Sequence, residues 1–135
     1  MNKLKGKISR IESSEHLSMV TIEVGEDIFS AVVLETPQTA VYLKEGNAVT
    51  LLFKETEVAI AKNLSGAISL RNRFQAVIKR IETAPILSKI VLTYKNREIV
   101  SIISTRSAQR LDLREGDSVE WLVKANEVSL LRGEG

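Results

Sequence analysis

Hydroxyl and cationic side chains gather in the second half of this chain in a pattern that suits the capture of an anion. Ser104-Thr105-Arg106-Ser107 stands at the start of an expected short helix. A helix start presents unpaired N–H groups and the positive end of the helix dipole, and hydroxyls add donors that carry no charge. Ser69-Leu70-Arg71-Asn72 leads into an expected strand, and Lys124 closes another. Arg71 and Lys124 supply the formal charge that a dianion requires. Donors of this kind hold a small tetrahedral oxyanion by hydrogen bonds, without covalent or metal–ligand bonds to the protein. Each residue also has a plainer reading. Thr105 can be a simple helix N-cap, Lys124 a solvated charge, and Arg71 part of a turn. Their joint placement favours the anion site.

The rest of the composition excludes the commoner site chemistries. The 135 residues contain no cysteine and one histidine, His16, read as an exposed loop residue. A disulfide scaffold, a thiolate metal site and a cysteine nucleophile are therefore excluded, and a Ser-His-Asp triad would depend on that one histidine. No carboxylate pair or nucleophile–base arrangement emerges, so the chain is expected not to be an enzyme and to need no catalytic cofactor. Hydrophobic residues make up 44% and charged residues 27%, a globular composition. The start, Met1 to Lys7, alternates charges with single apolar residues and lacks the apolar core of a signal peptide. Apolar runs such as Ala31 to Leu34 are far too short to cross a bilayer. A cytoplasmic location and no membrane partner are expected.

The elements that must position these groups come in two copies. Ile8-Ser9-Arg10-Ile11-Glu12 returns as Ile78-Lys79-Arg80-Ile81-Glu82, and Leu17-Ser18 as Leu87-Ser88. Leu43-Lys44-Glu45-Gly46 matches Leu113-Arg114-Glu115-Gly116, and Lys54 to Val58 matches Lys124 to Val128. The offset is 70, except that Ile28 and Ser30 pair with Ile99 and Ser101 at 71, which one residue added in a hairpin and another lost before the helix would explain. A period this long suits two small domains and not a solenoid. The expected modules are residues 1–65 and 66–135.

Within a copy, Val20, Ile22 and Val24 alternate with polar neighbours, the period of a half-buried strand. Gly25-Glu26-Asp27 reads as a hairpin turn. Thr36 and Pro37 read as the N-cap and first residue of a short helix that ends near Gly46, with Gly116 as the matching cap in the second copy. Strands over 48–54 and 57–61 follow. The predicted fold class is all-β: two tandem OB-like five-stranded barrels, each with one short helix. Trp121 is expected in a core or an interface. Each module is marginal alone and is expected to pack or oligomerise.

Charge divides unevenly between the copies. The net of +2 and pI near 9.0 hide a net of −2 over residues 1–66 and +4 over 67–135. The anion groups all lie in the basic part.

Ser69-Leu70-Arg71-Asn72 resembles the Ser-Ala-Arg-Asn signature that opens the Mop, or TOBE, modules of molybdate-binding proteins. Ile99 to Ser107 resembles that family's strand-to-helix segment, and Lys124-Ala125 falls where the family places its anion-binding lysine. The second copy is similar along its whole length, the first in framework only, with Leu34 in place of Ser104 and Pro37 near Ser107. The chain as a whole resembles a tandem-module molbindin. That resemblance implies a cytoplasmic protein that binds molybdate or tungstate as oxyanion, for storage, buffering or homeostasis, at interfaces between modules. It implies contacts from Ser69, Arg71, Ser104, Ser107 and Lys124, with Asn72, Thr105 and Ala125 contributing chiefly through their backbone. Lys54 matches the family lysine in the first copy and marks a weaker second site. A homo-oligomer, by analogy a trimer, is implied as well.

Two alternatives stand beside this reading. One is a nucleic-acid-binding tandem OB protein, which would need aromatic platforms and a basic groove. The few aromatic residues and the acidic first copy argue against nucleic acid as a partner. The other is the effector-sensing part of a molybdate-responsive regulatory complex.

Overall fold

The computed structural model describes residues 1–133, so Glu134 and Gly135, the end of the second copy, lie outside the described residues. Ten strands form two five-stranded antiparallel sheets. The first copy contributes β1 (Asn2–Ser14), β2 (Leu17–Val24), β3 (Asp27–Val33), β4 (Ala48–Phe53) and β5 (Ala59–Ala61). The second contributes β6 (Asn72–Thr83), β7 (Leu87–Tyr94), β8 (Arg97–Ser104), β9 (Ser118–Val123) and β10 (Ser129–Arg132), with helix α1 (Thr105–Arg110) between β8 and β9. The alternation read from the sequence is realised, since Val20, Ile22 and Val24 are buried and Glu23 is exposed. Long β1 and β6 each break register once, between Ile8 and Arg10 and between Ile78 and Arg80. That bulge lets one half of the strand pair with the following strand and the other half with β4 or β9.

Pairing shows that the repeat offset is 70 through the hairpins, with no added residue. Val24 faces Asp27 and Tyr94 faces Arg97, each across a two-residue loop. Ile28 therefore corresponds to Glu98 and Ser30 to Val100, and the local match at 71 is a coincidence of residue types. Lys95 adopts φ 54° where Gly25 adopts φ 60°, so a left-handed turn residue is kept in both copies despite the change in side chain.

The strands do not stay with their own copy. The sheet orders are β10-β4-β1-β2-β3 and β5-β9-β6-β7-β8, so each copy's last strand completes the other copy's sheet. The compact units are accordingly Met1–Phe53 with the segment from Lys124 onward, and Lys54–Val123, in place of 1–65 and 66–135. The physical reason lies in the repeat itself. The outer edges of β4 and β9 are equivalent, so either last strand can complete either ladder. The first unit buries Leu4, Ile8, Phe29 and Leu51, and the second buries Ile78, Ile90, Tyr94 and Trp121. Trp121 is thus a core residue, in contact with Phe74 and Tyr94.

The expected helix of the first copy is not formed. Residues 36–39 make a single turn, in which Thr39 N and Ala40 N both donate to Thr36 O at 2.9 Å. In the second copy Ser104 Oγ accepts from Ser107 N at 3.1 Å and caps α1. Leu34 and Pro37 stand at those positions in the first copy, so the acceptor and the N–H are both missing. Gly116 does not cap the helix either. α1 ends at Arg110, Asp112 takes the left-handed position (φ 50°), and Gly116 (φ 90°) donates its N–H to Ile78 O at the entry to β9. Gly46 makes the same bond to Ile8 O.

Candidate functional site

Ser104 closes β8 opposite Leu87 and caps α1, which leaves its side chain exposed. Its hydroxyl donates to Ser107 Oγ at 2.9 Å, which leaves the Ser107 proton able to point outward. The pair forms a compact hydroxyl face beside the exposed Arg106. Thr105 behaves differently. It is the first helical residue and not the cap, and it is 7% exposed. Its N–H donates to Ile86 O at 2.8 Å, and its hydroxyl donates to Ala84 O at 2.6 Å and lies 2.8 Å from Ser88 Oγ. Thr105 therefore ties the β6–β7 turn to α1, and both its donors are engaged in doing so.

The entry to β6 holds the second group. Ser69 and Arg71 are exposed, whereas Asn72 is fully buried as the first residue of β6, opposite Val123. Arg73, two residues on, is committed to a two-point bond with Glu120, with Nη2 to Oε1 at 3.0 Å, and this holds its guanidinium firmly protonated. Among the described residues Arg71 has no such carboxylate partner. Lys124 follows Val123 directly and leads, with φ −66° and ψ 142°, into a 3₁₀ turn over Ala125–Glu127. Lys54 has nearly the same backbone before the turn Glu55–Glu57, and its N–H donates to Glu57 Oε1 at 3.2 Å. Strand exchange assigns Lys54 to the unit that holds the hydroxyls and assigns Lys124 and Ala125 to the other.

Within the Lys54–Val123 unit these groups do not converge. Asn72 opens β6, while Ser104 and Thr105 lie by Ala84, just beyond its far end. The Ser69–Asn72 entry and the Ser104–Ser107 hydroxyls are therefore at opposite ends of the unit. A cavity of about 270 Å³ behind α1 includes Ser88, Thr105, Gln109 and Asp112, but neither Ser104 nor Ser107.

Sequence reading missed the ties that hold this framework. Ser101, fully buried on β8, donates from Oγ to Val58 O at 2.6 Å and fastens the segment before β5. Lys62 Nζ donates to Asp112 O at 2.7 Å and Asp117 Oδ2 at 3.0 Å, just past α1. Only the strand exchange brings Lys62 to that loop, so no local signal could reveal it. The bond from Lys62, aided by the Arg114 N–H, holds the Asp117 carboxyl below its ordinary 3.8. A lowered folded-state value means stabilisation that is present above that ordinary pH and is lost as pH falls through the lowered value. Acid titration of unfolding is expected to show a steeper loss below about pH 4 in the wild type than in Lys62→Met, which keeps only the smaller Asp117 contribution from the Arg114 N–H. Equal slopes would remove Lys62 from this role.

The first copy's counterpart differs in charge. Glu35 occupies the position of Thr105, and its carboxylate accepts from Tyr42 Oη at 2.5 Å. Burial, then the bond and charge of Glu35, raise the Tyr42 phenol well above its ordinary value. His16 is exposed, and among the described residues no group of His, Cys, Asp and Glu could hold a metal ion.

Residues 68–130 match the family model of the TOBE domain. The chain superposes on the molybdate-bound form of the cytoplasmic molybdate-binding protein ModG with a TM-score of 0.89 and 28% identity, over 96% of this chain and 94% of that one. A molybdate-binding protein from Sporomusa ovata is 42% identical over 50% of this chain and all of its own length, with a TM-score of 0.49. The molybdenum transport protein ModE of Herbaspirillum seropedicae is 34% identical over 73 residues, and the match spans 27% of its length. The second copy thus matches the TOBE domain, and the chain along nearly its whole length has the tandem fold of ModG.

Proposed function

We propose that this chain binds molybdate, and tungstate by the same chemistry, as the intact oxyanion. The likeness to molybdate-bound ModG along nearly the entire chain carries the reading. The residues support it: the exposed Ser104–Ser107 hydroxyl pair and the exposed Arg71 and Lys124 are donors of the kind an oxyanion needs. Because the entry Ser69–Asn72 and the hydroxyls stand at opposite ends of one unit, an anion that uses both is held between neighbouring copies of the chain. A homotrimer satisfies this, and light scattering is the measurement of its mass. Asn72 and Ala125 contribute backbone only, and Thr105 acts as framework. At the first copy's counterpart of the hydroxyl face, Leu34 and the Glu35 carboxylate disfavour an anion, and Lys54 marks at most a weaker site.

The role is storage or buffering in the cytoplasm, without catalysis. Among the described residues no helix is long and apolar enough to cross a membrane. Tyr94 and Trp121 are buried, which removes them as stacking platforms and disfavours nucleic acid. The partial likeness to ModE favours a second reading, that the same fold serves as the effector-sensing part of a larger assembly.

Calorimetric titration with molybdate, tungstate and sulfate tests the proposal. Heat and thermal stabilisation are expected with the first two, and their absence overturns it. Arg71→Ala or Lys124→Ala is expected to weaken binding by about 1–3 kcal/mol, the loss of a charge-assisted bond.

A further inference from the structure

The two copies secure the segment after their third strand by different chemistry. In the first, Asn47 Nδ2 donates to Tyr42 O at 3.0 Å, so one amide side chain closes the loop directly. The repeat equivalents in the second copy are Asp112 and Asp117. A carboxylate cannot donate to a carbonyl, so Asp117 cannot do what Asn47 does. Lys62 restores the link: its ammonium bridges Asp112 O and Asp117 Oδ2, and Asp117 Oδ2 also accepts from Arg114 N at 2.9 Å. The Lys62 and Asp117 side chains are 24% and 25% exposed, so water competes only in part for the bridge.

What this bridge holds is α1. A six-residue helix has no stability of its own in water and depends on tertiary ties at both ends. Thr105 supplies the tie at the start. At the end, the N–H groups of Leu111, Asp112 and Leu113 donate to Ser107 O, Gln109 O and Ala108 O at 3.0–3.1 Å, and the Asp112 carbonyl is the atom that Lys62 grips. Ser104 and Ser107 ride on this helix.

We propose that Lys62, delivered from the first copy by strand exchange, is a positioning residue for the Ser104–Ser107 hydroxyl face, and that its bridge to Asp112 O and Asp117 replaces the Asn47-type amide lock. The helix-holding part stands on geometry alone, whereas the effect on anion binding rests on the proposed oxyanion function.

Three full-length proteins test it: wild type, Lys62→Met, and Lys62→Met with Asp117→Asn, which installs the first copy's lock. In Lys62→Met the amides of Leu111, Asp112 and Leu113 are expected to exchange with deuterium about tenfold faster. Molybdate affinity is expected to fall about tenfold, the effect of losing one hydrogen bond to a charged group. The double variant is expected to recover both. Unchanged exchange in Lys62→Met overturns the lock, and so does altered exchange that the double variant fails to restore. Restored exchange with molybdate affinity equal in all three proteins overturns the positioning role. Should wild type bind no molybdate while exchange behaves as stated, the oxyanion reading fails and the lock stands.

Discussion

Replacing Trp121 with alanine is expected to destabilise the Lys54–Val123 unit by about 3–5 kcal/mol, the range for emptying a large buried aromatic site. Trp121 is fully buried, with its ring 5.3 Å from Phe74 and 5.2 Å from Tyr94. The repeat equivalents of these three are Leu51, Leu4 and Val24, so at these three positions aromatic contact in the second core replaces aliphatic side chains of the first. Trp121→Leu, which installs the first copy's residue, is expected to be milder because less volume is lost. Denaturant unfolding followed by far-UV circular dichroism measures both. A shift below about 1 kcal/mol for the alanine variant would contradict this account of the core.

Ending the chain at Val128 is expected to damage the opposite unit from the one a simple tandem arrangement implies. β10 pairs with β4 through Ser129–Leu52, Leu130–Leu51, Leu131–Thr50 and Arg132–Val49. Four register pairs at about 1 kcal/mol net each put the loss near 4 kcal/mol. The freed β4 edge also becomes a template for association. Hydrogen exchange on β4 is expected to accelerate, while the fluorescence transition of Trp121, the chain's single tryptophan, holds its midpoint. If each copy kept its own fifth strand, the tryptophan transition would move instead. The two results cannot be confused.

Much of the fold was legible because it is written in local alternation and in repetition. The strands over Leu17–Val24 and Leu87–Tyr94 follow from their apolar period, and the first hairpin from the turn residues that begin at Gly25. The helix of the first copy was misread because Thr36 and Pro37 carry a helix-start signature, whereas the decisive groups lie elsewhere. Leu34 offers no cap, and Tyr42 and Asn47 draw the segment into turns through Glu35 and the Tyr42 carbonyl. At the site, Ser104 and Ser107 were recognised as a hydroxyl pair at a helix start. Thr105 was recognised too, but its burial against Ala84 and Ser88 is a long-range fact that leaves it a structural tie.

By itself the sequence determined that the chain is a duplicated, all-β, cysteine-free protein whose anion-suited donors sit in its more basic copy. Those properties depend on residue type and spacing, which chemistry reads one position at a time. Only the tertiary structure decided which unit each last strand completes, and with it the company that Lys54, Lys62 and Lys124 keep. Because the free edges of β4 and β9 are equivalent, the choice between own and exchanged strand changes no local propensity. It depends on how the whole chain packs.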